Sequence, residues 1–143
     1  MTPRSSLLRS VLAGLVTTTG STLGAEPPSV TVTPPVHMKL TDLHWVKLSE
    51  FGGTEAIVYR SPDGKRVAAA FHESGKATFT YPFDEFVVVT SGSVSVRVHG
   101  GEMFTLSKGD VGYFREGTTV DFKFSADFAD ITCLIGDREV RWR

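Results

Sequence analysis

From Glu55 onward the chain alternates apolar and polar positions in short runs separated by turn residues. Val94, Val96 and Val98 alternate with Ser93, Ser95 and Arg97, and Val120, Phe122 and Phe124 alternate with Asp121 and Lys123. A period of two is that of a strand with one face turned to a core. Strands are predicted also over Ala56 to Arg60, Arg66 to His72, Ala77 to Tyr81, Glu85 to Thr90, Glu102 to Leu106, Val111 to Phe114 and Ile131 to Ile135. Turns separate them at Ser61-Pro62-Asp63-Gly64, Glu73-Ser74-Gly75-Lys76, Ser91-Gly92, His99-Gly100-Gly101, Lys108-Gly109-Asp110 and Arg115-Glu116-Gly117. Many short strands at even spacing predict an all-β sandwich or barrel.

The N-terminal third reads differently. Pro27, Pro28, Pro34 and Pro35 bracket Val30-Thr31-Val32-Thr33. Proline forbids helix here, so an extended arm is expected, able to add to a sheet edge in this subunit or a partner. Met38 to Phe51 is ambiguous, with Leu40, Leu43, Val46 and Leu48 only partly fitting helical spacing. Before the arm, Arg4 and Arg9 precede an uncharged stretch from Val11 to Gly24 that ends in small residues. That is the pattern of a secretory signal peptide, and its run of Thr and Ser is too polar to span a bilayer well. An uncleaved anchor or a disordered leader is the competing reading. The expected organisation is a signal peptide over 1–25, an arm and linker over 26–54 and a β-barrel domain over 55–143, in a periplasmic or secreted protein.

Charge narrows the partners. Without residues 1–25 the chain holds 13 Lys and Arg against 16 Asp and Glu, a net of −3. No basic footprint for nucleic acid is present. Cys133 is the sole cysteine, so no internal disulfide forms, and its apolar neighbours predict a buried small hydrophobe.

Gly75, Glu85 and Gly92, followed by Gly109-Asp110 and Gly117, stand in the order of two glycine-anchored motifs. On these residues the segment Gly75 to Phe124 resembles the double motif of the cupin superfamily. Tyr81-Pro82-Phe83-Asp84-Glu85-Phe86, with Ser91-Gly92-Ser93-Val94, resembles more narrowly the (S)-ureidoglycine aminohydrolase-type cupins. The resemblance implies a single cupin jelly-roll barrel with an extended N-terminal arm, and a homodimer. Its metal-binding histidines would fall at Phe79 and Tyr81, or at Thr78 and Thr80 with the longer spacing, and at Val120; Arg115 replaces the proline of the second motif.

Metal binding needs several N, O or S donors converging on one point, and Glu85 alone does not provide them. Neither a metal nor another cofactor is therefore expected. Glu85 is either a carboxylate paired with a basic group or an acid/base anchor in a pocket, with Tyr81 as its donor partner. Phe79, Arg97, Val120, Phe122 and His72 are the further candidate pocket residues. For His72 and Arg97 a solvent-facing position is the default; His72 turned inward would join Glu85 and Tyr81. The aromatic set fills the barrel or lines an apolar cavity. The leading functional expectation is a barrel that binds a small organic molecule. A hydrolase or lyase acting on a small polar metabolite is the second, and a barrel without ligand the third.

Overall fold

The computed structural model describes residues 34–142. The predicted signal peptide and residues 26–33 of the predicted arm lie outside the described residues. A short 3-10 turn at Leu40–Asp42 is followed by ten strands. They are β1 (Val46–Leu48), β2 (Gly53–Arg60), β3 (Arg66–His72), β4 (Gly75–Thr80), β5 (Asp84–Ser91), β6 (Ser93–Val98), β7 (Met103–Ser107), β8 (Val111–Phe114), β9 (Thr119–Phe124) and β10 (Ala129–Ile135).

Two antiparallel sheets face each other. One has the strand order β1-β2-β3-β10-β5-β8, the other β4-β9-β6-β7. The architecture is all-β, two antiparallel sheets in the manner of a jelly roll. The ambiguous stretch after Met38 resolves into the 3-10 turn and β1, and β1 pairs with β2 through Val46 and Glu55. The sheet thus begins at Val46 rather than at the residue after 54, because Leu48 is apolar and has a fully buried place against the core.

Strands β6 and β9 keep the predicted parity. Val94 and Val96 of β6 and Val120 and Phe124 of β9 are buried in the core between the sheets, with Val67, Phe71, Val87, Val89, Phe114 and Leu134 opposite. Gly92 makes the tight β5–β6 turn possible. Its φ is +63°, and a Cβ there would lie 2.3 Å from Ser125 Oγ and 2.9 Å from Phe128 Cα, so only glycine fits.

The outer face of the six-stranded sheet is partly covered. Leu43 and Trp45 pack on Ala56, Val58, Ala70 and Ile131. Further along the same face Phe86, Val111, Tyr113 and Ile135 stay exposed. Cys133 belongs to this outer face and is exposed, not buried as its apolar neighbours suggest. The reason is parity: Thr132 and Leu134 take the inward positions of β10, which leaves Ile131, Cys133 and Ile135 outward. Among the described residues no helix is long and apolar enough to cross a membrane.

Candidate functional site

A cavity of about 60 Å³ lies between the sheets. One water needs roughly 10–15 Å³ on this kind of measure, so there is room for several waters or a very small molecule. Its walls are mostly rings, among them Phe79, Phe83, Phe114, Phe122, Phe124 and Trp142. Tyr81 stacks parallel on Phe114 at 5.0 Å and meets Phe79 edge-on at 4.9 Å. Such pairs hold rings in fixed orientations and stiffen the wall.

Four oxygen-bearing side chains interrupt that wall: Glu73, Tyr81, Glu85 and Asp130. Tyr81 follows the end of β4, Glu85 comes from β5 and Asp130 from β10, while Glu73 sits in the turn between β3 and β4. β10 pairs with both β3 and β5, which brings Asp130 opposite Phe71 and Leu134 opposite Glu85. Antiparallel pairing therefore gathers acids that are far apart in sequence.

Thr132 Oγ1 lies 2.6 Å from Glu85 Oε1 and 2.8 Å from the Phe86 carbonyl oxygen. A hydroxyl carries one proton and a carbonyl only accepts. Thr132 therefore donates to the Glu85 carboxyl or to the Phe86 carbonyl, one at a time. Burial pushes the Glu85 carboxyl above the usual carboxylate range, against the opposing hydrogen bonds of Thr132 and Tyr81.

The other acids move the same way. Burial, reinforced by the neighbouring charge of Glu85, pushes Glu73 up to about 8. Burial, then the charges of Glu73 and Glu85, raises Asp130 well above its ordinary value. Tyr81 is raised too, by burial first and by its interaction with Glu85 second, so its hydroxyl stays neutral and able to donate. Three acids sharing one low-dielectric space cannot all be charged without a counter-ion. The cluster is a set of proton donors and acceptors, or a receptor for positive charge.

The expected pocket residues divide into two groups. Tyr81, Glu85, Phe79 and Phe122 meet at the cavity. Val120 pairs with Phe79 across β9 and β4 but is fully buried in the core and does not line the cavity. Arg97 is exposed on the outer side of β6, where its Nη2 donates to Met103 Sδ at 3.4 Å. His72 is exposed on the outer side of β3, its ring 4.4 Å from that of Trp45. Neither joins Glu85, because strand alternation sends both outward. Parity also settles the two alignments of the family histidines. Thr78 and Thr80 face outward to Asp121 and Thr119, so Phe79 and Tyr81 hold the inward positions.

Sequence reasoning missed Glu73, Asp130 and Trp142. Trp142 packs edge-on against Phe71 and donates from Nε1 to the fully buried Glu55 Oε2 at 2.6 Å. The Arg60 guanidinium stands 5.3 Å over its ring, and Arg60 Nη1 donates to the Val140 carbonyl at 3.0 Å. These contacts fix the tail as one wall of the cavity.

The fold family implies a metal, and the donor set does not suit one. The inward positions of the family histidines carry Phe79, Tyr81 and Val120. Among the described residues no three His, Cys, Asp or Glu side chains are arranged to hold an ion.

Residues 60–129 match the family of EutQ-like cupin domains. Among solved structures the chain is similar to ethanolamine utilization protein Q of Salmonella typhimurium, at 17% identity and a TM-score of 0.60 over 68% of this chain and 82% of that one. It is similar to an acetylacetone dioxygenase of Acinetobacter johnsonii, at 21% identity and 0.60 over 73% and 76%. It also resembles KdgF of Halomonas, at 19% identity and 0.55 over 72% and 94%. No curated protein matches the sequence. At these identities the likeness is one of fold.

Proposed function

For this chain, a member of the cupin superfamily with phenylalanine, tyrosine and valine at the histidine positions, we propose binding of a small organic molecule inside the barrel, without a tightly held transition metal. The observation that carries this reading is the ring-lined cavity into which Tyr81, Glu85, Glu73 and Asp130 all open. Concave, mostly apolar sites with a few converging polar groups are where small ligands bind. A thermal-shift screen of small metabolites tests it: saturable stabilisers that fail on a cavity-filling Phe122→Trp variant support it. A complete absence of hits favours a filled, purely structural barrel. Stoichiometric Mn, Fe, Ni or Zn retained through dialysis would overturn the metal part.

A second reading is favoured by one contact. Glu85 and the neutral Tyr81 interact within the cavity, an acid and a hydroxyl donor side by side. That pair suits acid/base catalysis on a small polar metabolite, as in a hydrolase or lyase of the ureidoglycine aminohydrolase type. Given a turnover assay, Glu85→Gln is expected to lower kcat by roughly a hundredfold or more. Unchanged turnover removes this role.

Two further proposals concern the whole protein. The exposed strip of Phe86, Val111, Tyr113 and Ile135 supports a homodimer across the outer face of the six-stranded sheet. Light scattering should give a dimer that Val111→Lys dissociates; a monomeric parent protein refutes it. The leader supports export, and sequencing of the mature N-terminus should begin near Glu26.

A further inference from the structure

Among the described residues the walls of the cavity carry three acids and no base. Glu73, Glu85 and Asp130 line it together, and no Lys, Arg or His among the described residues lines it with them. Asp130 is 6% exposed, and its Oδ1 has no hydrogen-bond partner among the described residues. A buried carboxylate oxygen without a donor is the least satisfied state such an atom can take. That oxygen can accept from an N–H or O–H group.

The remaining walls say which kind of group. Phe79, Phe83, Phe114, Phe122 and Phe124 surround the acids. Ring faces are the negative pole of the aromatic quadrupole, and they attract ammonium groups. An anion would meet carboxyls and ring faces together, both repulsive. A neutral molecule could donate to Asp130, but only a cation gains further when the acids ionise around it. A metal ion needs a tight convergence of donors, which the described residues do not form. An organic ammonium needs no such convergence, because it spreads its charge over N–H donors and adjoining carbons.

Acidic side chains continue beside the cavity. Glu73 and Phe128 line both the cavity and a shallow outer depression, where Asp127 adds a further carboxylate and His72 is the sole basic-type side chain. Glu73 is half-buried, as a residue shared between interior and surface must be.

Building on the small-molecule reading above, we infer that the ligand is a small protonated amine, its N–H groups toward Asp130 and Glu73 and its carbons against Phe79, Phe122 and Phe124. The cavity of about 60 Å³ limits it to a few non-hydrogen atoms. Its binding strengthens with rising pH. The groups facing it are Glu73, Glu85, Asp130 and Tyr81; the three acids must ionise to pair with it, and Glu73 does so only near pH 8.

The test uses the full chain and three probes of similar size: isopropylammonium, 2-propanol and acetate, each titrated at millimolar concentration and read by protein NMR shifts. At about pH 8 only isopropylammonium should bind saturably, and its affinity should fall roughly tenfold or more at about pH 5, where carboxyls with raised pKa are protonated. Asp130→Asn, which keeps the shape and removes the charge, should weaken it by roughly tenfold or more. If that variant does not fold, Glu73→Gln at the mouth of the cavity carries the same comparison. Equal or tighter binding of 2-propanol or acetate overturns the cation assignment while small-molecule binding stands. Full affinity in the folded Asp130→Asn variant, or in Glu73→Gln where that is the variant used, overturns it as well. So does tight binding of Zn or Mn alone that the same variant abolishes. If none of the three probes binds, the assignment falls, and a blank metabolite screen then removes the wider reading too.

Discussion

The barrel carries two populations of carboxylates that its fold treats in opposite ways. Inside, Glu73, Glu85 and Asp130 are all pushed toward the protonated form, with burial as the first cause. On the surface, Asp63, Asp84, Asp121 and Glu139 are all held below the usual range, with hydrogen bonds as the first cause. Asp84 shows the outer arrangement best: the Glu116 amide donates to Oδ1 at 2.7 Å and the Tyr113 hydroxyl to Oδ2 at 2.8 Å. Asp130 shows the inner one: the Phe71 backbone acts on its carboxyl, while its Oδ1 has no hydrogen-bond partner among the described residues. Side chains of one chemical type thus differ because solvent and donors are present on one side of the sheet and scarce on the other.

The contrast has measurable consequences. Packing sets the scale: Phe114→Ala removes a buried ring that touches Tyr81, Phe104 and Phe122. It should destabilise by about 3–5 kcal/mol in urea unfolding, a value against which every charge effect can be compared. A loss below about 1 kcal/mol would show that the rings are loosely held.

Next is the pH profile of Tm without ligand. An acid whose folded pKa is raised contributes stability that is full below its unfolded value and is lost as pH rises through the folded value. For Glu73 that loss runs from its ordinary 4.5 to about 8. The outer acids work the other way: their contribution is present above their ordinary pKa and disappears as pH falls below it. Stability should therefore peak in mildly acidic solution and decline toward pH 8. A flat profile from about pH 5 to 8 would mean the inner acids are not desolvated.

Asp130→Asn removes an acid raised by burial and by its neighbours Glu73 and Glu85, so it should remove much of that alkaline decline, raising Tm near pH 8 by several degrees and changing it little in mild acid. An equal change under both conditions would assign the effect to packing. The smallest effect belongs to the surface. Asp84→Asn should cost a little stability at neutral pH and none in strong acid, where the native carboxyl is protonated as well. A loss that persists in acid would point to the turn geometry rather than the charge.

Much of the barrel was legible from residue alternation, and the reasons for the exceptions are physical. Strand β6 has valines on the core side and Ser and Arg on the other, so period and burial agree. In β10 they do not. Ile131, Cys133 and Ile135 are the more apolar set, yet Asp130, Thr132 and Leu134 face the core. Alternation names two faces, but only the neighbouring strands decide which is inner. Where the outer face is itself apolar, the hydrophobic signal picks the wrong one. Asp130 was hidden for that reason. Glu73 was hidden because it lies in a sequence of turn type, and Trp142 because a lone aromatic near a terminus shows no period. Tyr81 and Glu85 were readable because their motif spacing fixed them independently of parity.

Phe71 and His72 are adjacent in β3 and point to opposite faces, and each holds one of the two tryptophans of the chain. Trp142 lies inside against the cavity, and Trp45 outside against an imidazole. The protein thus carries its two indole fluorophores on either side of a single layer of backbone. Emission from one reports occupancy of the interior. Emission from the other reports on the outer face, where Trp45 meets His72. Substituting either indole by phenylalanine leaves a one-colour reporter, so events within the barrel and on its surface can be followed optically and separately, without any added label.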